Sequence, residues 1–322
     1  MKTAEMRALI AAAALCVLIA PLAAQAPSPP PWAYPVLDPS VKPPPGDGAL
    51  RTLPGSGASF TRAQISDLFS AKDWFPDDHP PMPEVVAHGR KPEVRACGMC
   101  HLPNGQGRPE NAALAGLPAA YIVQQMADFK SGLRRSSVPS AGPQIRMLAT
   151  AAHASDQEIQ DAADYFSKLT YRPWIRVTEA EAAPKAEVIF GTIWAPAPGA
   201  AMEPIGQRIV EIPEDLEKTE LRDPRSGFVA YVPMGGIQRG EALATAGDKT
   251  APCAGCHGPQ LKGMALAPPI AGKSTSYIVR QLYDFQSGAR AGKGAELMKP
   301  AVANLTLDDM IAIAAYVASR SP

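Results

Sequence analysis

Apolar residues recur at helical spacing in two blocks of the chain. In the first block Ile122, Met126 and Phe129 fall on one face of a helix opening at Tyr121, and Gly132 stands where a C-cap glycine would end it. Further on, Ile159, Ala162, Ala163 and Phe166 make a second inward stripe. In front of it Ser155-Asp-Gln-Glu158 forms a capping box, in which hydroxyl and carboxylate satisfy each other's backbone donors. The second block repeats the order, with a helix opening at Tyr277 and a last one presenting Met310, Ile313, Ala314 and Val317 behind Thr306-Leu-Asp-Asp309. A short helix is predicted behind Thr61-Arg-Ala-Gln64, from Ile65, Leu68 and Phe69. Between the blocks the period changes. Val188-Ile-Phe190, Arg208-Ile-Val210 and Phe228-Val-Ala-Tyr231 are short β-prone runs among prolines, and predict a small irregular β insertion over residues 171–234.

The two blocks are copies in register. Cys97 to Cys253 is 156 positions, and so is Tyr121 to Tyr277. From Tyr121 to Arg135, nine of fifteen residues match their counterparts from Tyr277 to Ala291, among them Asp128/Asp284, Phe129/Phe285 and Gly132/Gly288. A period this long marks a duplicated domain rather than a solenoid unit.

Each copy opens with the same five-residue pattern, Cys97-Gly-Met-Cys100-His101 and Cys253-Ala-Gly-Cys256-His257. The spacing C-x-x-C-H is that of c-type haem attachment. Two thiols two residues apart reach the two vinyl groups of one porphyrin, and the adjacent imidazole lies under the iron. A zinc site would need four ligands in a closed tetrahedron, and no second cysteine pair lies near either copy. Two covalent haem c groups are therefore expected, with His101 and His257 as proximal iron ligands. After each histidine come glycines (Gly105 and Gly107, Gly258 and Gly263), giving a loop able to pass close to a flat cofactor.

An iron held by one histidine has an open face, and Met147 and Met298 are the candidates to close it. Each stands eight residues before the capping Ser155 or Thr306, and each is expected in an irregular loop where a thioether can turn towards iron. Met126 and Met310 read as core filler, Met99 faces away from its own iron, and Met264 and Met234 are weaker choices. His79 and His88 read as surface or loop histidines.

Composition narrows the setting. Lysine and arginine number 31 against 31 aspartates and glutamates, so nothing supports nucleic-acid binding. Of five cysteines, four lie in the two motifs, leaving none to pair in a structural disulfide once Cys16 is removed with a leader. Lys2 and Arg7, the thirteen-residue apolar run Ala8 to Ala20, and Ala24-Gln25-Ala26 read as a signal peptide over residues 1–26. The run is short for a membrane span, and bulky Leu15 argues against a lipid anchor on Cys16. Residues 27–60 are a proline-rich linker, with ten prolines from Pro27 to Pro54, read as a disordered leader in which only Trp32 and Tyr34 are expected to dock.

With these residues in view the chain resembles the tandem dihaem class I cytochromes c of the bacterial periplasm, the c-four type. The likeness rests on the two C-x-x-C-H motifs, the Leu114-Ala-Gly116 and Ile270-Ala-Gly272 turns, the Tyr-Ile-Val-x-Gln helices with Asp-Phe-x-Ser-Gly, and Met298-Lys-Pro. It covers roughly residues 85–170 and 236–320. It implies a mainly α fold of two small haem domains, placed here at residues 61–170 and 235–322; the β insertion between them and the proline-rich N-terminal extension are additions to the family plan. It further implies periplasmic electron carriage between redox protein partners of a respiratory chain or dehydrogenase, with no membrane span after signal cleavage and peripheral docking to a membrane complex left open. The other readings are a dihaem cytochrome c peroxidase, and a cytochrome subunit fixed in a dehydrogenase or oxidase complex. Two departures set expectations. Pro268 and Pro269 stand where the family places a proline whose carbonyl orients the proximal imidazole, whereas the first copy has Ala112 and Ala113. The run before Cys97 is also too short and proline-interrupted for a full leading helix. The first haem is thus expected to be less well supported and more exposed than the second.

Overall fold

The structure is a computed structural model that describes residues 28–36, 46–189, 192–199, 201–246 and 249–322. The leader over residues 1–26 and part of the linker lie outside the described residues, as does Phe190.

The chain begins its described course with a single 3-10 turn at Pro31–Ala33 and a hairpin of β1 (Leu50–Thr52) and β2 (Ser59–Thr61). The first helical domain follows, with α1 (Arg62–Ile65), α2 (Glu84–Ala87), the attachment helix α3 (Cys97–His101), α4 (Ala119–Lys130), α5 (Gly142–His153) and α6 (Asp156–Ser167). The insertion holds β3 (Ile175–Glu179), β4 (Ala182–Pro184), β5 (Ala186–Ile189), β6 (Ile193–Pro196), β7 (Met202–Pro204), β8 (Val210–Pro213), α7 (Leu216–Glu220) and β9 (Phe228–Val232). The second domain is α8 (Gly236–Ala246), the attachment helix α9 (Cys253–His257), α10 (Thr275–Gln286), α11 (Ala295–Val302) and α12 (Leu307–Ser319). Among the described residues no single helix is long and apolar enough to cross a membrane.

The sequence signals explain most boundaries. The capping boxes at Thr61/Gln64, Ser155/Glu158 and Thr306/Asp309 all form, each with reciprocal side-chain bonds. The stripes on α4 and α6 meet in one core, where Ile122, Ile159, Ala163 and Phe166 pack with Val85 and Val86. In the second domain Ile278, Met310, Ile313, Ala314 and Val317 do the same. There α8 crosses α12 at contact distance. A Cβ on Gly240 would lie 1.9 Å from the carbonyl oxygen of Ala312, so only glycine fits at the crossing. The four-residue α2 stands where the second domain has the eleven-residue α8, as the proline-interrupted run implied.

Some expectations are corrected. The helix after Thr61 ends at Ile65, so Leu68 and Phe69 lie beyond it. Met147 and Met298 sit not in loops but on α5 and α11. The run Gln144 to His153 is rich in good helix formers, and Pro143 in its first turn pre-sets the backbone where no donor is needed. The disordered reading of the linker does not hold for its described parts. Ala33 and Tyr34 are buried in the second domain's core, Trp32 packs against it, and Leu53 joins Trp74, Phe75 and Leu221. These aromatic side chains bury enough apolar surface to offset the entropy of ordering the backbone.

The insertion is β-structured as predicted, in small sheets. Its main sheet runs β3–β9–β8, with β3 and β9 parallel and β8 antiparallel to β9. It touches both domains. Ala230, Val232 and Ile209 join the core around α12, while Phe228 and Trp174 pack on Leu102, directly after α3.

Candidate cofactor sites

The two attachment helices are built alike. Each ends in a left-handed residue immediately after its histidine, Leu102 (φ 64) and Gly258 (φ 82). The chain then turns back so that Gly107 donates its N–H to the His101 carbonyl at 2.9 Å, and Gly263 to that of His257 at 2.8 Å. The turn brings a carbonyl eleven residues downstream onto each imidazole. His101 Nδ1 lies 2.7 Å from the Ala112 oxygen and His257 Nδ1 lies 2.8 Å from that of Pro268. An imidazole held this way donates from Nδ1 and keeps the lone pair on Nε2 for a metal. Burial pushes both imidazoles below their ordinary pKa, which favours the neutral, ligating form. Gly107 is required at its place, since a Cβ there would come within 2.6 Å of the Ala112 oxygen.

The doubt about His101 is thereby corrected. The backbone carbonyl does the orienting, and alanine supplies one as well as proline does. The expected exposure is reversed too. In the first domain a cavity has both thiols, His101 and Met147 on its walls. Burial pushes the Cys97 thiol up to about 12. Ile122, Phe129 and Phe166 line it together with polar side chains such as Gln125, Arg134 and Arg146, and Tyr34 and Arg280 close it from the N-terminal segment and the second domain. In the second domain Cys256 is exposed. Met264, Leu266 and Leu297 stand 50%, 67% and 77% exposed. The donor sets and apolar walls fit haem at both places. Among the described residues no three or more His, Cys, Asp or Glu gather in a way that could hold a metal ion, as a closed zinc site requires.

Met298 packs, half-buried, around the same core as Cys253, Ala254 and Ile270. Met310 is core, at 1% exposed, as read from sequence. Met126 differs from its reading as core filler, since it also lines the first cavity. His88 is exposed. His79 is turned to Asp73, 3.2 Å from its carboxylate, and to Tyr165. Neither histidine lies on the cavity wall.

A set of residues that sequence reasoning passed over joins the two sites. Arg134 donates to Gln125 of its own domain at 2.9 Å, and to Tyr277 and Gln281 of the other at 3.3 Å each. Arg290 mirrors it, donating to Gln281 at 2.9 Å and, across the boundary, to Tyr121 and Gln125 at 2.7 Å each. The backbones exchange bonds beside them, Arg135 N to Ala289 O at 2.8 Å and Ala291 N to Leu133 O at 2.7 Å. Every pair is related by the 156-position repeat, so the domains meet about an approximate two-fold axis. The signal was present in sequence, as Tyr121/Tyr277, Gln125/Gln281 and Arg134/Arg290 are identical between the copies.

Comparison with known proteins agrees with this duplicated plan. A family model described as Cytochrome c matches residues 86–170 and again 237–321, leaving the insertion unmatched. Cytochrome c4 of Azotobacter vinelandii is 29% identical over 230 residues, 70% of this chain and 84% of that protein. A protein of Stutzerimonas stutzeri named thiosulfate dehydrogenase electron acceptor is 25% identical over 235 residues, 72% of this chain and 82% of its own. Among solved structures, reduced recombinant cytochrome c4 from Pseudomonas stutzeri superposes with a TM-score of 0.44 at 23% identity, covering 70% of this chain and 93% of that one. The thiosulfate dehydrogenase of Marichromatium purpuratum gives 0.46 at 26%, covering 70% of this chain and 37% of that one.

Proposed function

The chain belongs to the cytochrome c family, as two domains in tandem carrying two covalently bound haem c groups, and we propose that it is a periplasmic electron relay whose irons are ligated by His101 with Met147 and by His257 with Met298. A bound haem c supplies a one-electron change at its iron, and a histidine–methionine ligand set raises the potential at which that change occurs. The protein's part is to fix the ligands, exclude water and set the distance between the two centres. The observation that carries the reading is the repeated imidazole geometry, Nδ1 on a backbone carbonyl 2.7 and 2.8 Å away, with a methionine on the wall of the first cavity beside its histidine. The α5 and α11 helices hold Met147 and Met298 more firmly than loops would. A firmly held thioether favours a closed iron, and so a relay rather than a peroxidase. The two-fold contact between Arg134, Arg290 and their partners holds the domains in one arrangement, which a relay between two centres requires.

Export to the periplasm rests on the leader at residues 1–26 and agrees with haem attachment outside the cytoplasm. The partners are redox proteins. Two relatives named thiosulfate dehydrogenase electron acceptor favour a donor of that class, and a place as a fixed subunit beside such an enzyme. Co-purification of the exported protein from its own cells tests this.

The ligand assignment is tested by spectroscopy. The oxidised protein is expected to be low-spin at both irons, with a sulfur-to-iron band in the red region, and the reduced protein to bind CO slowly or not at all. Met298→Ala should open one iron to CO and lower its potential, and Met147→Ala should do so at the other, each leaving the second spectrum nearly unchanged. Rapid peroxide turnover by a half-reduced protein with one high-spin iron would overturn the relay and support the peroxidase.

A further inference from the structure

The 156-position repeat allows the surroundings of the two attachment helices to be compared position by position, and they differ in what covers them. Around α3, Met99, Leu102 and Gln106 are each 2% exposed and Arg108 is 5% exposed. Their counterparts around α9 are largely open. Gly255 and Lys262 are exposed and Met264 stands at 50%, while Gly258, the counterpart of Leu102, is buried.

The cover on the first domain comes from the insertion. Arg222 donates from Nη1 to the Met99 carbonyl, inside the attachment motif itself, at 2.9 Å. Asn104 donates to the Pro224 carbonyl at 2.7 Å. Gln106 both donates to the Arg172 carbonyl at 3.0 Å and accepts from its N–H at 3.1 Å. Trp174 and Phe228 pack on Leu102.

The covering loop is itself braced. Trp74 donates its indole N–H to the Leu221 carbonyl at 2.8 Å, Arg62 meets Glu220 at 3.0 Å, and Arg225 makes two 2.7 Å bonds to Asp78. Arg222 adopts a left-handed backbone (φ 58) to reach its place, an uncommon conformation for a residue with a Cβ. The same insertion meets the second domain through the core around α12, and among the described residues no hydrogen bond joins it to α9.

Electron exchange between proteins requires that the edge of a cofactor be approached closely, and an attachment helix marks the edge to which its thioethers are joined. We infer that residues 172–174 and 222–228 form a fixed cap over the attachment edge of the first domain, so that the molecule exchanges electrons with partner proteins at the second domain, around Cys256. One electron leaves an external one-electron donor, arrives at the second domain and crosses the two-fold interface to the first. No bond is made or broken and no proton is transferred. The inference rests on the relay reading and adds its direction.

The test uses the intact ferric holoprotein. Haem methyl proton resonances of each domain are followed by NMR while the neutral chelate gadolinium–DTPA-bismethylamide is added. The expected result is a relaxation enhancement several-fold larger for the methyls near Cys256 than for those near Cys100. Rapid mixing with a reduced monohaem c-type cytochrome should then reduce the second domain at a rate proportional to donor concentration, with the first following at a rate independent of it. In Arg222→Ala the first domain should gain its own concentration-dependent phase. Equal enhancement of both methyl sets, or concentration-dependent reduction of the first domain in the wild type, would overturn the cap while two low-spin irons left the relay standing. Absence of two low-spin irons would remove the relay and the cap with it.

Discussion

Lys273 is buried, at 4% exposed, and its Nζ has no hydrogen-bond partner. It lies 3.5 Å from the centroid of the Tyr171 ring, a cation–π contact that offsets part of the desolvation. Burial alone pushes its pKa down to about 7. The unfolded chain holds this proton up to about 10.5. Between those values the unfolded state binds more protons than the folded one, so wild-type stability rises with pH there. Lys273→Met removes the buried charge and keeps much of the packing. It should raise stability by about 1–3 kcal/mol near pH 6, with the gain shrinking as pH approaches 10. Guanidinium unfolding of both proteins at pH 6 and 9.5 measures this, and a gain independent of pH would count against the assignment. Nothing in the sequence singled out Lys273, because its burial is created by Tyr171 of another segment. The attachment residues were legible for the opposite reason. Cys97, Cys100 and His101 are fixed to one another by covalent spacing alone. Ala112 lay between these cases, since its position was seen, but the proline side chain was looked for where only the carbonyl matters.

At the level of elements, α12 shows how much a local signal can fix. Its capping residue Asp309 is fully buried and accepts from Thr306 N at 3.0 Å, Thr306 Oγ1 at 2.8 Å, Arg239 at 2.6 Å and Lys249 at 3.2 Å. Burial opposes ionisation, but these donors outweigh it and hold the carboxyl at about 2. With the folded value below the ordinary 3.8, the stabilisation is complete above that pH and is lost as pH falls towards 2. Asp309→Asn should therefore cost about 1–3 kcal/mol at pH 7 and almost nothing near pH 2, by thermal melts across that range. A cost that stays constant on acidification would mean that the loss is steric. The box at Thr306 was read directly from sequence because all its members lie within four residues. The helices carrying Met147 and Met298 were missed, since Pro143 stands in the first turn of α5 and Pro300 inside α11, and a proline within so short a run reads as a loop. The sheet was seen as runs but not as a topology. The parallel pairing of Ile175–Glu179 with Phe228–Val232 joins residues more than fifty positions apart, and no local pattern encodes that.

At the scale of the molecule the duplicated sequence has become a two-fold contact, and the arginines at its centre act as a unit. Each guanidinium also lies over a phenylalanine of its own domain, Arg134 4.6 Å from the Phe129 ring and Arg290 4.3 Å from that of Phe285. These phenylalanines are again 156 positions apart. Arg290 is buried, and its loss takes the donor from Tyr121 and leaves Gln125 to Arg134 alone, as well as removing its own bonds. Arg290→Ala should cost about 2–4 kcal/mol, in the range for breaking a buried charged hydrogen-bond network from one side. Arg134→Ala should cost less, because its cross-domain bonds, at 3.3 Å, are longer. Both arginines use Gln125 and Gln281, so the double variant should lose less than the sum of the two single losses by more than about 0.5 kcal/mol, beyond ordinary additivity. Calorimetry of the holoprotein should show one transition for the wild type and two for the double variant, as each haem domain unfolds by itself. Additive losses with a single transition would mean that the domains are joined chiefly through the insertion and the N-terminal segment, with the two-fold contact a consequence of that packing.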